Sequence, residues 1–426
     1  MHKFLTIFLV SAGLLATNTA TAQSLGNSPY SRFGIGDLST NNGSIRNFSM
    51  GGSGVASPNS YQINELNPAL LYFNNNVIFE LTVNSQLKTL KEDSRSQRDG
   101  STNLGTIGLA IPVSKRWSAA FGLKPYSTVQ YETNAVQPVI NDPGTQALVK
   151  YSGEGGLSEV YFGHGVKVFK DLTIGATASY IFGTIDNMYT TALQRTSGSQ
   201  TLTSQQLRIR QETSYSDFAF KTGVAYRRKM GKYNVGIGGV YNLATDLNAE
   251  RRTYIERLNT SGLDQTHADS ANKKVTVPGG FQLGLSLDNA LNWSVSADIA
   301  LQNWSEFKNF EGNSPFENTT RFGLGGEFVP EPASPKYLRR VTYRAGFSYG
   351  QTQYVINNEQ LNEAAVTWGF TLPLGRSLIT ESSFLNLGFA LGKRGTTDNS
   401  LVQENFIRAQ VGLSLNNKWF IQRKLD

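Results

Sequence analysis

The sequence predicts an all-β fold: a transmembrane antiparallel β-barrel of about fourteen strands with an N-terminal hatch plugging the lumen. Three observations lead there. Polar and apolar residues alternate with a period of two over most of the chain after residue 76. The connections between alternating segments are short and long in turn. A glycine-, serine- and asparagine-rich stretch without clear period comes before the first such segment. No internal run approaches the ~18–20 apolar residues of a membrane helix, a test that a barrel escapes because half of each strand faces its lumen.

The first element is "MHKFLTIFLVSAGLLATNTATA". Lys3 precedes an apolar core from Phe4 to Leu15, and Ala20-Thr21-Ala22 closes it. Residues 1–22 therefore read as a secretory signal cleaved after Ala22. The core is too short for an anchor. The chain has no cysteine, which excludes a lipoprotein anchor, disulfides, thiolate nucleophiles and cysteine–zinc sites.

Residues 23–75 form a leader and hatch, and residues 76–426 the barrel. The alternation is clear in "NWSVSADIALQNW", where Trp293, Val295, Ala297, Ile299 and Leu301 point one way and Ser294, Ser296 and Asp298 the other. "FQLGLSLDN", "DFAFKTGVAY" and "FIRAQVGLSL" repeat it, with glycine, serine and single charges on the polar face. The segments at 205–228 and 231–256 are much longer than the ~5–6 residues of an ordinary strand, and suit a tilted crossing of a membrane.

Short links ("SKR", "KD", "KMGK", "DNALN") alternate with longer ones at 88–101, 133–156, 194–204 and 257–272. An outer-membrane barrel shows this pattern, with short turns in the periplasm and long loops outside. Trp117, Tyr226, Tyr241, Trp293, Trp304, Trp368 and Trp419 fall near strand ends on the outward face, as interfacial aromatic girdles would. An even strand count lets the sheet close and leaves no unpaired edge in lipid. The last strand ends in "KWF", similar to the terminal aromatic signal of outer-membrane proteins.

A barrel of this size has a lumen too wide for side chains alone to fill. The glycine-rich start is compact enough to enter it, and irregular backbone at membrane depth is tolerated where protein surrounds it. The motif "R-x-F-S-M-G-G-S-G-V-A" from Arg46, with Gly51 and Gly52, and then "N-E-L-N-P-A" with Asn67, Pro68 and Ala69, resembles the N-terminal hatch of FadL/TodX-type outer-membrane transporters. The resemblance implies a fourteen-stranded barrel and passive uptake of long-chain fatty acids or other hydrophobic compounds. In that family the ligand passes the hatch and leaves through a kinked wall strand. The leader "SPYSRFGIGDL" from Ser28 departs from the family pattern by its length.

Alternation puts Arg321, Arg344 and Arg408 in the lumen on three late strands, where guanidinium groups can bind a carboxylate head group. The competing reading is a salt-bridged lining that supports the hatch. The net charge of +7 is scattered, without interleaved aromatics, and does not read as a nucleic-acid surface. "GSGVAS" lacks the third glycine and the strand–helix context of a dinucleotide site. His164 and His267, the two histidines beyond residue 22, suggest neither a hydrolase nor a metal centre. The sequence thus predicts a non-enzymatic, cofactor-free monomer in the outer membrane of a Gram-negative bacterium, in contact with its lipids and a hydrophobic ligand. The alternative is a FadL-like barrel acting as a secretion accessory or protein-docking component, with a secretion-system partner.

Overall fold

The computed structural model describes residues 28–39, 43–92, 95–197, 200–203, 206–259, 262–314, 316–375, 381–398 and 401–417. The expected signal peptide, Trp419 and the terminal "KWF" lie outside them.

Among the described residues fourteen strands form one closed antiparallel sheet. They are β1 (Val77–Glu92), β2 (Arg95–Ser114), β3 (Trp117–Val139), β4 (Asp142–Lys167), β5 (Leu172–Ser197) and β6 (Gln206–Met230). Next come β7 (Tyr233–Asn242 and Thr245–Asn259), β8 (Gly262–Val277 and Gly280–Asp288), β9 (Trp293–Gln302) and β10 (Thr319–Phe328). The last four are β11 (Thr342–Ile356), β12 (Glu359–Pro373), β13 (Glu381–Arg394) and β14 (Gln403–Asn417). The sheet closes where β14 pairs with β1, with Asn417 opposite Val77 and Gln403 opposite Lys91.

The period-two pattern assigns the faces as expected. Phe281, Leu283, Leu285 and Leu287 are exposed on the outside, while Ser294, Ser296 and Asp298 are buried inside. Trp117, Tyr226, Tyr241 and Trp368 stand outward. Trp304 does not. β9 stops at Gln302, a one-turn 3-10 helix begins at Trp304, and the indole turns inward to 2% exposure.

The four long connections also differ from loops. Their residues continue the ladders almost to the hairpin tips: Glu92 pairs with Arg95, Val139 with Asp142, and Asn259 with Gly262. The wall therefore rises beyond the apolar band as paired strands, with the short turns at the opposite end.

Residues 43–76 run inside the barrel at the turn end. A short helix, Ile45–Ser49, starts with a capping box of Ser44 and Asn47. A 3-10 helix, Pro68–Phe73, is capped by Asn67, whose side chain accepts from the Ala69 N–H at 3.0 Å, with proline at its first position. Between them the chain lies directly on the wall. A Cβ at Gly175 of β5 would strike the backbone of Pro68 and Ala69, and one at Gly325 of β10 the backbone of Met50. Inward-facing glycines thus let backbone meet backbone, which explains their place on the polar face.

Gly325→Val is expected to destabilise the barrel by about 1–3 kcal/mol, through overpacking against Met50. The lipid-side Gly326→Ala, whose Cβ would meet nothing closer than 3.4 Å, is expected to have little effect. Heat-modifiable gel mobility and thermal melting in detergent check both.

Candidate functional site

The insert is tied to the wall by a ring of polar contacts. Arg46, 2% exposed, donates to both carboxylate oxygens of Glu327 on β10 and to the carbonyl and hydroxyl oxygens of Ser57. Arg344 of β11 donates to the same Glu327 at 3.0 Å and to the Thr371 hydroxyl at 2.7 Å. Thr371 donates to Asn386, Asn386 to Ser414, and Ser414 to Glu80, which accepts the Ile63 N–H at 3.2 Å. The chain of contacts crosses β10 to β14 and reaches β1.

On the far side Asp298 of β9 accepts the Gly54 and Val55 N–H groups at 2.6 and 2.8 Å. The "GSGVAS" stretch is therefore a backbone anion nest, filled by a carboxylate of the protein itself. Lys124 of β3 bonds Glu65 at 2.9 Å, and Lys221 of β6 donates to the Glu65 carbonyl. Asn67 donates to the carbonyls of Val55 and Val224, and Gly51 donates to Thr367. The expected motif residues Arg46, Gly51, Gly52, Asn67, Pro68 and Ala69 all lie in this insert, and five of the six make the wall contacts named here or above, the exception being Gly52, whose N–H donates to the Asn47 carbonyl.

The leader, residues 28–39, occupies the hairpin half of the lumen. Arg394 of β13 grips Asp37 with two bonds of 3.0 Å and also donates to Glu404 of β14. Lys88 of β1 stands 3.5 Å from Glu404. Tyr354 of β11 donates to Asp37, and its ring stacks on Tyr30 at 5.8 Å. Around this clamp lies an apolar core. Tyr30 and Ile35 of the leader meet Trp304, Phe307 and Phe316 from the β9–β10 connection, together with Tyr354. Thr276 and Lys308 form one bridge that fastens this connection, and Phe316 and Tyr354 form another.

The wall itself has a break. β2 and β3 pair from the turn at Ser114/Trp117 only as far as Ile107 and Leu123. Above that level β2 continues on β1 alone, to Arg95, and β3 continues on β4, to Val139. The parting coincides with Pro125, which has no N–H for a ladder, and with a register shift between Pro125 and Ser127. Gly155 of β4, opposite Val129, has φ +111°, a conformation that side chains disfavour, and lets the wall bend there.

The leader covers the free edge of β3. Asp37 and Leu38 pair with Thr128 and Ser127, the Ser28 N–H donates to the Gln130 carbonyl, and the Ser39 N–H to the Tyr126 carbonyl. A cavity of about 140 Å³ lies between the lips, lined by Asn84, Ser101, Asn103, Thr128 and Gln130. Two others, of about 240 and 220 Å³, also border Leu38 and Ser39.

The three head-group candidates do not converge. Arg344 belongs to the Glu327 contact below. Arg408 donates to Glu363 at 2.9 Å and to Gln86 at 2.7 Å. Arg321 lines the 240 Å³ cavity beside Glu363. The sequence reading missed the Asp37–Arg394–Glu404 clamp and the inward Trp304. Pro125, inside an alternating run, was the visible sign of the break.

A family profile described as BamG matches residues 1–426. The chain belongs to the BamG family. A search of curated protein sequences gave no match. Among solved structures, this BamG-family chain is similar to the monoaromatic hydrocarbon channel CymD, with 14% identity, 89% of this chain and 99% of that one covered, and a TM-score of 0.57. The Pseudomonas putida toluene transporter TodX gives 16%, 91% and 100%, and 0.55. A Pseudomonas aeruginosa FadL homologue gives 13%, 88% and 98%, and 0.58. These likenesses establish that the BamG-family barrel has the FadL/TodX-type fold.

Glu327→Gln leaves two buried guanidinium groups without their carboxylate. It is expected to lower stability by about 3–5 kcal/mol, measured as a lower unfolding midpoint in detergent.

Proposed function

We propose that the protein is a side-opening outer-membrane barrel for passive uptake of hydrophobic compounds that carry a polar head, such as long-chain fatty acids, in a Gram-negative bacterium. The short turns face the periplasm and the long hairpins face outward. The observation that carries this reading is the parting of β2 from β3 above Ile107 and Leu123, which opens onto an internal cavity. Unpaired strand edges inside a bilayer are tolerated only where protein covers them or water lines them. A break at this level is therefore a passage with a removable cover, and the leader is the cover. The solved hydrocarbon channels of the same fold support the reading by analogy. Amide and hydroxyl groups on the lips, with Arg321 and Arg408 behind, suit an amphiphile better than a bare hydrocarbon.

A second reading is favoured by how the lumen is filled. The leader's Tyr30 and Ile35 occupy apolar space that a ligand would use, and the insert is bonded around the wall. If the leader never withdraws, the barrel is a secretion accessory or protein-docking component rather than a conduit.

The chain's lack of cysteine makes a direct test available. Leu38 and Ser127 are paired residues of adjacent antiparallel strands, so a Leu38→Cys/Ser127→Cys disulfide would hold the leader on the wall. Cells lacking their own fatty-acid channel are expected to take up radiolabelled oleate through the reduced variant and not through the oxidised one. Equal uptake in both states, at the level of cells without the protein, would contradict the uptake reading and favour the docking one.

A further inference from the structure

Outside the lumen, the lipid-facing wall carries a hollow that the alternation does not explain. Outward residues on β6, β7 and β8 stand in rows: Thr222, Tyr241 and Phe281; then Val224, Gly239 and Leu283; then Tyr226, Ile237 and Leu285. Gly239 is the position without a side chain. A Cβ there would meet only Val224 at 3.5 Å and Leu283 at 3.8 Å, so its glycine is not required by close backbone approach. The missing side chain leaves a groove of about 380 Å³, bordered by Val224, Tyr226, Ile237, Tyr241, Phe281 and Leu283.

Below the groove the same strands end in a cationic turn. Arg228 is the next outward residue of β6 after Tyr226, and it lies opposite Val235. Lys229, the next residue of β6, lies opposite Asn234 on the inward row. Lys232 is in the β6–β7 turn, and Lys170 lies in the adjacent β4–β5 turn, joined to β6 by the bond from the Arg227 N–H to the Asp171 carbonyl. Arg228, Lys232 and Lys170 make no ion pair among the described residues. Two acids lie near: Asp288 is held by both ends of the Arg227 guanidinium, and Asp171 is in the turn itself. Exposed Phe169, Met230 and Leu291 sit among these cations, and Tyr226 and Tyr233 stand just above.

We propose that this face is a binding site for one anionic phospholipid of the periplasmic leaflet. Its phosphate rests on Arg228, Lys232 and Lys170, and one acyl chain lies in the groove over Gly239. The dimensions agree. Gly239 is four residues above Val235, about 14 Å along the strand, and an acyl chain runs about 15 Å from head group to midplane in a core of about 30 Å. Charge selects the lipid, since each cation near the surface favours an anionic head group. An acidic protein would use the cations but leave the groove, at membrane depth, unexplained. The inference rests on the outer-membrane reading, with the short turns in the periplasm.

The test uses the full barrel in lipid nanodiscs of phosphatidylglycerol mixed with phosphatidylcholine, released into native mass spectrometry. Heat-modifiable mobility shows separately that each variant has folded and inserted. The wild type is expected to retain phosphatidylglycerol about tenfold over phosphatidylcholine. Arg228→Gln/Lys232→Gln/Lys170→Gln is expected to abolish that preference. Gly239→Leu, which fills the groove, is expected to reduce retention of phosphatidylglycerol while the triad of cations is intact. Equal retention of the two lipids by an inserted wild type overturns the proposal, and so does an unchanged adduct in Gly239→Leu. Either result leaves the uptake reading to be judged by the stapled leader.

Discussion

The backbone of the N-terminal insert lies on the backbone of the wall with no side chain between them, and the rest of the interior follows from that contact. A barrel of fourteen strands is wide. It can be filled by large side chains or by a second layer of chain. Here small residues on the inward face make room for the second layer. Gly175 lets Pro68 and Ala69 approach, Gly325 and Gly346 receive Met50 and Gly51, and Gly238 receives Val55. Each approach brings N–H and C=O groups of irregular chain into a low-dielectric interior, where every one needs a partner. The wall supplies them as serines, threonines and single carboxylates: Asp298 for Gly54 and Val55, Glu80 for Ile63, and Ser286 for the Ala56 carbonyl.

Charge follows the same logic. Buried ions are costly unless paired and hydrogen-bonded. Glu327 answers Arg46 of the insert and Arg344 of the wall, while Arg394 answers Asp37 of the leader and Glu404 of the wall. These pairs fix where two pieces of chain sit along a lumen that has few other features to set their register. They also divide the interior in two. The insert is bonded to many strands, whereas the leader depends on one clamp, one short ladder and a cluster of rings.

Much of this was legible because period two identifies a strand and its faces together. The rows from Phe281 and Trp293 needed nothing else. The hairpin extents were not legible, because beyond the membrane both faces of a strand meet water and the alternation fades. Residues such as 95–101 then read as loop although they are paired. Trp304 misled because it falls near a strand end, although its number puts it in phase with the inward Ser294, Ser296 and Asp298 and the strand ends at Gln302. The clamp was invisible: Asp37 and Arg394 lie 357 positions apart, and no local pattern relates them. The insert motif is continuous in the sequence, but its partners had to come from the fold.

The central claim is that the insert is as much a part of the folded wall as the strands are. Amide hydrogen exchange of the full barrel in lipid tests it most directly. The N–H groups of Gly54, Val55, Ile63 and Ala69 have side-chain acceptors and no place in a ladder. The account predicts that they exchange as slowly as ladder amides at the same depth in β9 and β10. Exchange of these four at rates near those of free peptide, while the ladder stays protected, would show an insert that opens independently and would contradict the account.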